Sequence, residues 1–408
     1  MMVAPPVSHP TDRNPASAVY LDHAATTPVL PAVVEAVARA QRDWFGNPSS
    51  RHGFGRPPAK HLADAREFLR GTLSAGEIVF TSGGSEADLM GIVGAAAARG
   101  PGRVLMAASD HPAALSCTDW LSRLRMHTSL LPVTRHGDIA PETLARELGP
   151  DVRVVSFLHG HNELGTLTDL AACVALVREK APDCHVHVDI VQAYGKIPFE
   201  LDEAGVDSCA VSAHKLHGPR GVGFLALSNT ARVAPVQRAG GQELGLRGGT
   251  ENLPGIHGLM VAAEGVLSHM GSTARHTTAL AQLVEQSVTS ALPGAERLGN
   301  PQHRLPHVLS LRIPGVNGQA LMERCDARGI AFSVGAACHG AHGDEGGTNH
   351  VLAAIGLDRK QAREVVRLSF ARATTVAEAE RAASTLVEEA LALRALAPQP
   401  ARGGARRG

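Results

Sequence analysis

Lys215 sits where covalent chemistry with an aldehyde can be done. It follows the short apolar run 209–212, with Ser212 and His214 just before it and Gly218, Gly221 and Gly223 just after. Upstream, a second apolar run over 185–189 ends in Asp189, and Gln192 follows. A lysine amine forms an imine with an aldehyde, and a carboxylate can keep a pyridine nitrogen protonated so that the ring withdraws electrons. That pairing suits pyridoxal phosphate. The chain holds five lysines, and the other four, Lys60, Lys180, Lys196 and Lys360, lie in polar or helix-like contexts without such neighbours. A lysine after a strand is ordinarily a solvated loop residue; the acid and the glycine-rich turn argue otherwise here.

Other chemistry-bearing groups accompany it. The run 78–88 passes from a strand through Gly83 and Gly84 into a helix, where Ser85 and Asp88 have the spacing of a capping box. Backbone N–H groups exposed at such a helix start bind anions, so Gly84 and Ser85 are candidate phosphate donors, against the plain alternative of a tight turn. His111, in Asp110-His111-Pro112, is either a polar strand end or a ring that lies flat on the cofactor and exchanges protons. Asn162 and Glu163 lie beyond another strand, within reach of a ring oxygen or a substrate carboxylate. Arg367 alternates with apolar residues in 365–372, and a buried guanidinium demands a partner. That partner is either an internal acid or the α-carboxylate of an amino acid. Cys338 lies in the small, glycine-rich stretch 332–347 beside His339 and His342, and is a candidate nucleophile. A metal site built on Cys338, His339 and His342 lacks a second well-spaced ligand pair, and no metal is expected.

The positioning elements follow an alternating order. Strand-like runs at 78–80, 104–107, 153–158, 186–189, 209–212 and 223–227 are interleaved with helical stretches at 85–99 and 168–180, after helices at 32–44 and 57–71. Such alternation predicts an α/β fold with a mainly parallel sheet covered on both faces. Long amphipathic stretches at 277–292 and 375–396, with strands at 308–313 and 366–370 between them, predict a smaller α+β domain. The expected division is an N-terminal extension 1–18, a large domain 19–265, a small domain 266–397 carrying Cys338, and a disordered tail 398–408, with 19–60 a candidate to join the small domain.

The 408 residues carry zero formal net charge, which points to neither a nucleic-acid nor an anionic-membrane partner. No apolar run reaches the roughly 18 residues of a membrane span, and residues 1–18 lack the apolar centre of a signal peptide, so a cytoplasmic location is expected. Six cysteines without a CxxC pair read as reduced thiols; apart from Cys338 they sit in apolar or helix-like stretches as small core residues.

Several segments together resemble the class V aminotransferase-like enzymes of fold type I, specifically the cysteine desulfurase and selenocysteine lyase group. They are Tyr-Leu-Asp-His-Ala-Ala-Thr-Thr27, Phe-Gly-Asn-Pro-Ser-Ser50, Phe-Thr-Ser-Gly-Gly-Ser-Glu86, His-Val-Asp-Ile-Val-Gln192, Ser-Ala-His-Lys215, Arg-Gly-Gly-Thr-Glu-Asn252 and the Cys338 loop. The resemblance spans about 19–396. It implies that Lys215 binds pyridoxal 5'-phosphate, Asp189 pairs with its ring nitrogen, Gln192 contacts its ring hydroxyl and His111 stacks on it. Ser85, Ser212 and His214 would hold the phosphate, and Thr250 would reach a partner's phosphate across a homodimer interface. Asn162 and Arg367 would bind the substrate carboxylate, and Cys338 would take sulfur or selenium from L-cysteine or L-selenocysteine and pass it to an acceptor protein. Alternatives of the same fold are a selenocysteine lyase proper, another C–S lyase or an aminotransferase. Two departures stand out: His161 replaces the first of two asparagines usual before Glu163, and the Cys338 loop looks more like that of animal selenocysteine lyases.

Overall fold

The computed structural model describes residues 18–335 and 349–396. Its centre is a seven-stranded sheet in the spatial order Glu77–Thr81, Gly223–Leu227, Ser208–Ser212, His185–Asp189, Val152–Leu158, Arg103–Ala107, His127–Leu131. All neighbours are parallel except Gly223–Leu227, which runs antiparallel to both of its own. The three strands His185–Asp189, Ser208–Ser212 and Gly223–Leu227 are buried at every residue, as a sheet covered on both faces requires.

A second sheet, ordered Ser333–Val334, Val365–Ser369, Val308–Arg312, Glu296–Arg297, is antiparallel throughout. The helices Met270–Ala291 and Val376–Leu396 pack together beside it, and Leu280, Val284, Leu309, Leu311, Val366 and Leu386 form its core. Val19 and Leu21 belong to that core too, because Val19–Tyr20 pairs in parallel with Ile330–Ala331. The start of the chain is thereby stitched to its end, and Asp22 arrives next to Ser369.

Several elements differ from the sequence expectation. The helix expected over 85–99 is Gly84–Leu89 and Ala95–Arg99 joined by a π-helical turn, Met90–Gly94. The capping box is absent: Gly83 is the N-cap, and Asp88 turns inward, 1% exposed, to pair with His187. Strand His127–Leu131 escapes the pattern because it is a polar edge strand with one buried residue. Helix Leu253–Leu267 escapes for the opposite reason: it is apolar around most of its circumference and has no stripe to read. It is started by Asn252, whose side chain accepts from the Gly255 N–H, with Pro254 in the first turn, and it packs on Pro31–Asp43.

Candidate active site

The antiparallel strand Gly223–Leu227 decides where the site forms. Because it separates Glu77–Thr81 from Ser208–Ser212, those two strands run in the same direction and end at the same edge. Thr81 and Ser212 both lie opposite Gly223. The Gly83–Gly84 turn and the Lys215 segment therefore emerge side by side, at the carboxyl ends where α/β sheets place their ligands. Gly223 cannot carry a side chain: a Cβ would lie 2.4 Å from the Val211 carbonyl oxygen and 2.8 Å from Gly83 Cα.

A cavity of about 190 Å³ opens at this edge. Gly84 and Ser85 line it from the helix start, Ser212, His214 and Lys215 from the neighbouring strand end, Asp189 and Gln192 from the next, and His111 and Asn162 from the two loops beyond. The Lys215 amine donates to the carbonyls of Ala24 and Ala25, at 2.6 and 2.7 Å. Burial, followed by the Arg367 cation, lowers its pKa to about 8. Asp189 accepts from the Val191 N–H at 2.8 Å, and burial, then Asp88, pushes its pKa up. His111 Nδ1 accepts from the Ala113 N–H, so the neutral ring carries its proton on Nε2. Gln192 donates to the Ala24 carbonyl, and His307 meets its Oε1 at 3.3 Å.

These groups fit pyridoxal phosphate. The amine and the acid border one cavity, and the glycine turn comes close enough that a Cβ on Gly84 would stand 2.8 Å from Val191 Cγ2. Backbone N–H groups at the start of the helical run 84–99 supply the anion contacts a phosphate needs.

A buried chain of hydrogen bonds underlies the cavity, and motif reading passed over it. Asp88 Oδ1 meets His187 Nε2 at 3.2 Å, His187 Nδ1 meets Ser208 Oγ at 2.8 Å, and Ser208 Oγ meets His185 Nε2 at 2.7 Å. Both histidines are fully buried, and His185 Nδ1 has no partner. Gly91 makes room for it, since a Cβ there would stand 2.2 Å from His187 Nδ1. The signal was present as alternating histidines in a strand whose every residue is buried, a cost the chain must offset with partners.

Other singled-out residues lie elsewhere. Arg367 has the internal acid as its partner: Nη2 donates to Asp22 at 2.8 Å and Nη1 to the Asn162 carbonyl at 3.2 Å, while the buried Nε has none. It stands behind Asn162 and is absent from the cavity lining. Thr250 is exposed and also absent from that lining. Cys338, with His339 and His342, lies outside the described residues. The flanking Asn349 donates to Glu163 at 2.8 Å and also to the Gly335 carbonyl, and His350 Nε2 meets the Asp110 carbonyl at 2.9 Å. The ends of that segment are thus fastened beside Asn162 and His111.

His161 is a strut and does not line the cavity of Lys215. Its Nδ1 accepts from the Glu163 N–H and its Nε2 meets the Ser109 carbonyl, both at 3.1 Å, while burial pushes its pKa down to about 3. Cys117, Cys173, Cys184, Cys209 and Cys325 are all buried core residues. Burial pushes the thiols of Cys117, Cys184 and Cys325 up to about 12, which leaves them inert as nucleophiles. Among the described residues no group of three or more His, Cys, Asp or Glu could hold a metal ion, and no helix is long and apolar enough to cross a membrane.

The family model for aminotransferase class V matches residues 19–382. A cysteine desulfurase of Frankia sp. (strain EuIK1) is 38% identical over 394 residues, covering 93% of this chain and 92% of the relative. The cysteine desulfurase NifS of Azotobacter vinelandii is 37% identical over 370 residues, covering 89% and 90%. Among solved structures, a NifS-like protein superposes with a TM-score of 0.83 at 31% identity, covering 91% of this chain and 98% of that one. A structure described as SspA in complex with cysteine has a TM-score of 0.74 at 29% identity, covering 88% and 100%.

Proposed function

This chain belongs to the aminotransferase class V family, and we propose that it is a pyridoxal-phosphate-dependent cysteine desulfurase. It would convert L-cysteine to L-alanine and leave the sulfur as a persulfide on Cys338. The observation that carries the reading is the meeting of Lys215, Asp189 and the Gly84 turn around one cavity, in a chain that resembles cysteine desulfurases over most of its length.

When bound, pyridoxal phosphate supplies the electron sink that makes the Cα–H of an amino acid acidic. The residues of the chain then divide the work. Gly84, Ser85, Ser212 and His214 would hold the phosphate, Asp189 would keep the ring nitrogen protonated, Gln192 would meet the ring hydroxyl and His111 would stack on the ring. Lys215 Nζ, with its pKa lowered to about 8, is poised to take and return a proton near neutral pH. Asn162, which lines the cavity, and Arg367, behind it, would orient the substrate carboxylate, with Arg367 exchanging its Asp22 partner for the substrate. The Cys338 thiolate attacks the substrate sulfur. As the S–S bond forms, the C–S bond breaks, and its electron pair stays with the carbon, which is protonated to give alanine. The persulfide passes to an acceptor protein. The working unit is a cytoplasmic homodimer in which Thr250 completes the partner's phosphate site.

The test is a product balance. Protein loaded with pyridoxal phosphate and given L-cysteine should release alanine in step with persulfide formation. Pyruvate with free sulfide would instead mark an eliminating lyase, and amino-group transfer an aminotransferase. Cys338→Ala should stop alanine release from cysteine. L-Selenocysteine in parallel reads the chalcogen: selenium leaves more readily, so the variant should keep part of that activity.

A further inference from the structure

A second cavity, of about 350 Å³, lies on the other side of Lys215. Its size falls in the ~300–1,000 Å³ range of small-molecule sites. Leu30, Leu216, Val266 and Phe370 give it apolar walls, whereas every charged or titratable group lining it is a base. Those bases include Lys196, Lys215, His23, His217, His307 and Arg372, and among the described residues no aspartate or glutamate lines it. Among the described residues Lys196 makes no ion pair, and its amine donates to the backbone carbonyl of Lys215, at 3.1 Å. His23 and His307 are 7% and 3% exposed, and the Nδ1 of each is buried without a partner.

Unpaired buried bases and two orphaned imidazole nitrogens are costly unless something meets them. The direction of the His307 bond can be fixed. Gln192 Nε2 donates to the Ala24 carbonyl, so Oε1 is the amide acceptor and His307 Nε2 is the donor to it. His307 Nδ1 is therefore a bare lone pair beside the cavity, and an incoming acid can leave its proton there or on Lys196.

We propose that this cavity binds a small organic acid with an apolar body, an aromatic or branched aliphatic carboxylate, on the side of Lys215 away from the cofactor cavity. Burial holds down the charge of the inner bases. Burial, then Lys215, lowers the Lys196 pKa to about 7, and burial lowers that of His23 to about 4 and that of His307 well below its usual value. The groups facing Lys196 are Lys215, His23, His214, His217 and His307, all bases. A carboxylate reverses that field, so it binds with proton uptake at neutral pH. It also binds more tightly as pH falls from 8 to 6, where Lys196 gains its proton and a carboxylate stays ionised.

The probes are benzoate and its neutral isostere benzamide, titrated calorimetrically into the protein as purified, in two buffers of different ionisation enthalpy. Benzoate should bind saturably with proton uptake, and benzamide at least tenfold more weakly. Lys196→Met should weaken benzoate at least tenfold while the protein still unfolds cooperatively. Arg367→Leu, which removes the proposed substrate-carboxylate arm, should leave benzoate binding in place. Equal binding of benzamide, or unchanged benzoate binding by a folded Lys196→Met, would overturn the proposal. So would loss of binding in Arg367→Leu, since benzoate would then occupy the substrate's own position. Should Lys196→Met fail to fold, the benzoate–benzamide comparison and its pH dependence decide on the unaltered protein.

Discussion

Asp189, Asp88 and His111 line one side of Lys215, whereas Lys196, His23 and His307 line the other. On the first side, burial raises the acids and a hydrogen-bonded chain runs beneath them. On the second, bases face one another across apolar walls with two imidazole nitrogens unmet. Lys215 thus stands on a boundary between opposite potentials. Asp189 and Asp22 raise its pKa, while burial and Arg367 lower it, and the balance comes out at about 8. Lys196, enclosed wholly among bases, falls to about 7. Two residues of one type, nineteen positions apart in sequence, differ because of which wall each belongs to.

That contrast is broken most severely at the amine itself. Lys215→Ala should cost about three decades or more in alanine release from cysteine, because no other lysine borders the acid side. Borohydride treatment should then fail to fix pyridoxal phosphate to the chain; covalent fixation to Lys196 would mean that the two walls are interchangeable.

Acid tests the balance of buried groups over the whole molecule. Burial pushes His23, His159, His187 and His214 down to about 4 and His161 to about 3. Below pH 6.5 the unfolded chain takes protons that the folded chain refuses, so stability is lost as pH falls from about 6.5 to about 4. Asp88, Asp110, Asp189 and Glu163 are raised and act in the opposite sense, gaining stability as pH falls from about 7 towards 4. With His185 and His307 also lowered, the histidines outnumber these acids. The thermal midpoint should therefore drop on acidification, at ~1.4 kcal/mol per pH unit for each net proton. A midpoint that rises between pH 6.5 and 5 would show the acids to dominate.

Asp189→Asn sharpens the acid side alone. Losing one buried charge-assisted contact costs about 1.5–3 kcal/mol, or about one to two decades in turnover. An unchanged rate of α-proton exchange with solvent would rule out its part in the electron sink. The smallest effect is expected at Gly91→Ala, which forces a methyl group against His187. It should cost about 1–3 kcal/mol by urea unfolding, and an unaltered unfolding midpoint would show that the helix yields without cost.

Site and scaffold were legible in the sequence in part, and for different reasons. Motif chemistry needs only a few residues in order, and Gly84, Ser85, His111, Asn162, Asp189, Gln192, Ser212, His214 and Lys215 do line one cavity. Buried strands with apolar runs were equally legible. Strand His127–Leu131 and helix Leu253–Leu267 were not, since one is too polar and the other too uniformly apolar to show a period. Asp88 misled because an acid three positions after a serine has the spacing of a cap, whereas its tertiary partner is a histidine ninety-nine positions away. Asn349 and Asp22 act through similarly distant contacts, with Glu163 and Arg367.

The chain Asp88–His187–Ser208–His185 has one further property, which follows from counting hydrogens. If Asp88 is ionised, His187 Nε2–H points to it, the Ser208 hydroxyl points to His187, and His185 Nε2–H points to Ser208. If Asp88 carries a proton, every one of those arrows reverses, and again each link has one donor and one acceptor. With both histidines neutral and with His187 and Ser208 each giving one hydrogen and taking one, these are the two arrangements of the row, and within them it behaves as a two-valued element. In both settings the loose end is His185 Nδ1, the atom without a partner: a bare lone pair in one, an unmet N–H in the other. Changing the setting shifts the charge of Asp88, at the floor of the cofactor cavity, without displacing a heavy atom.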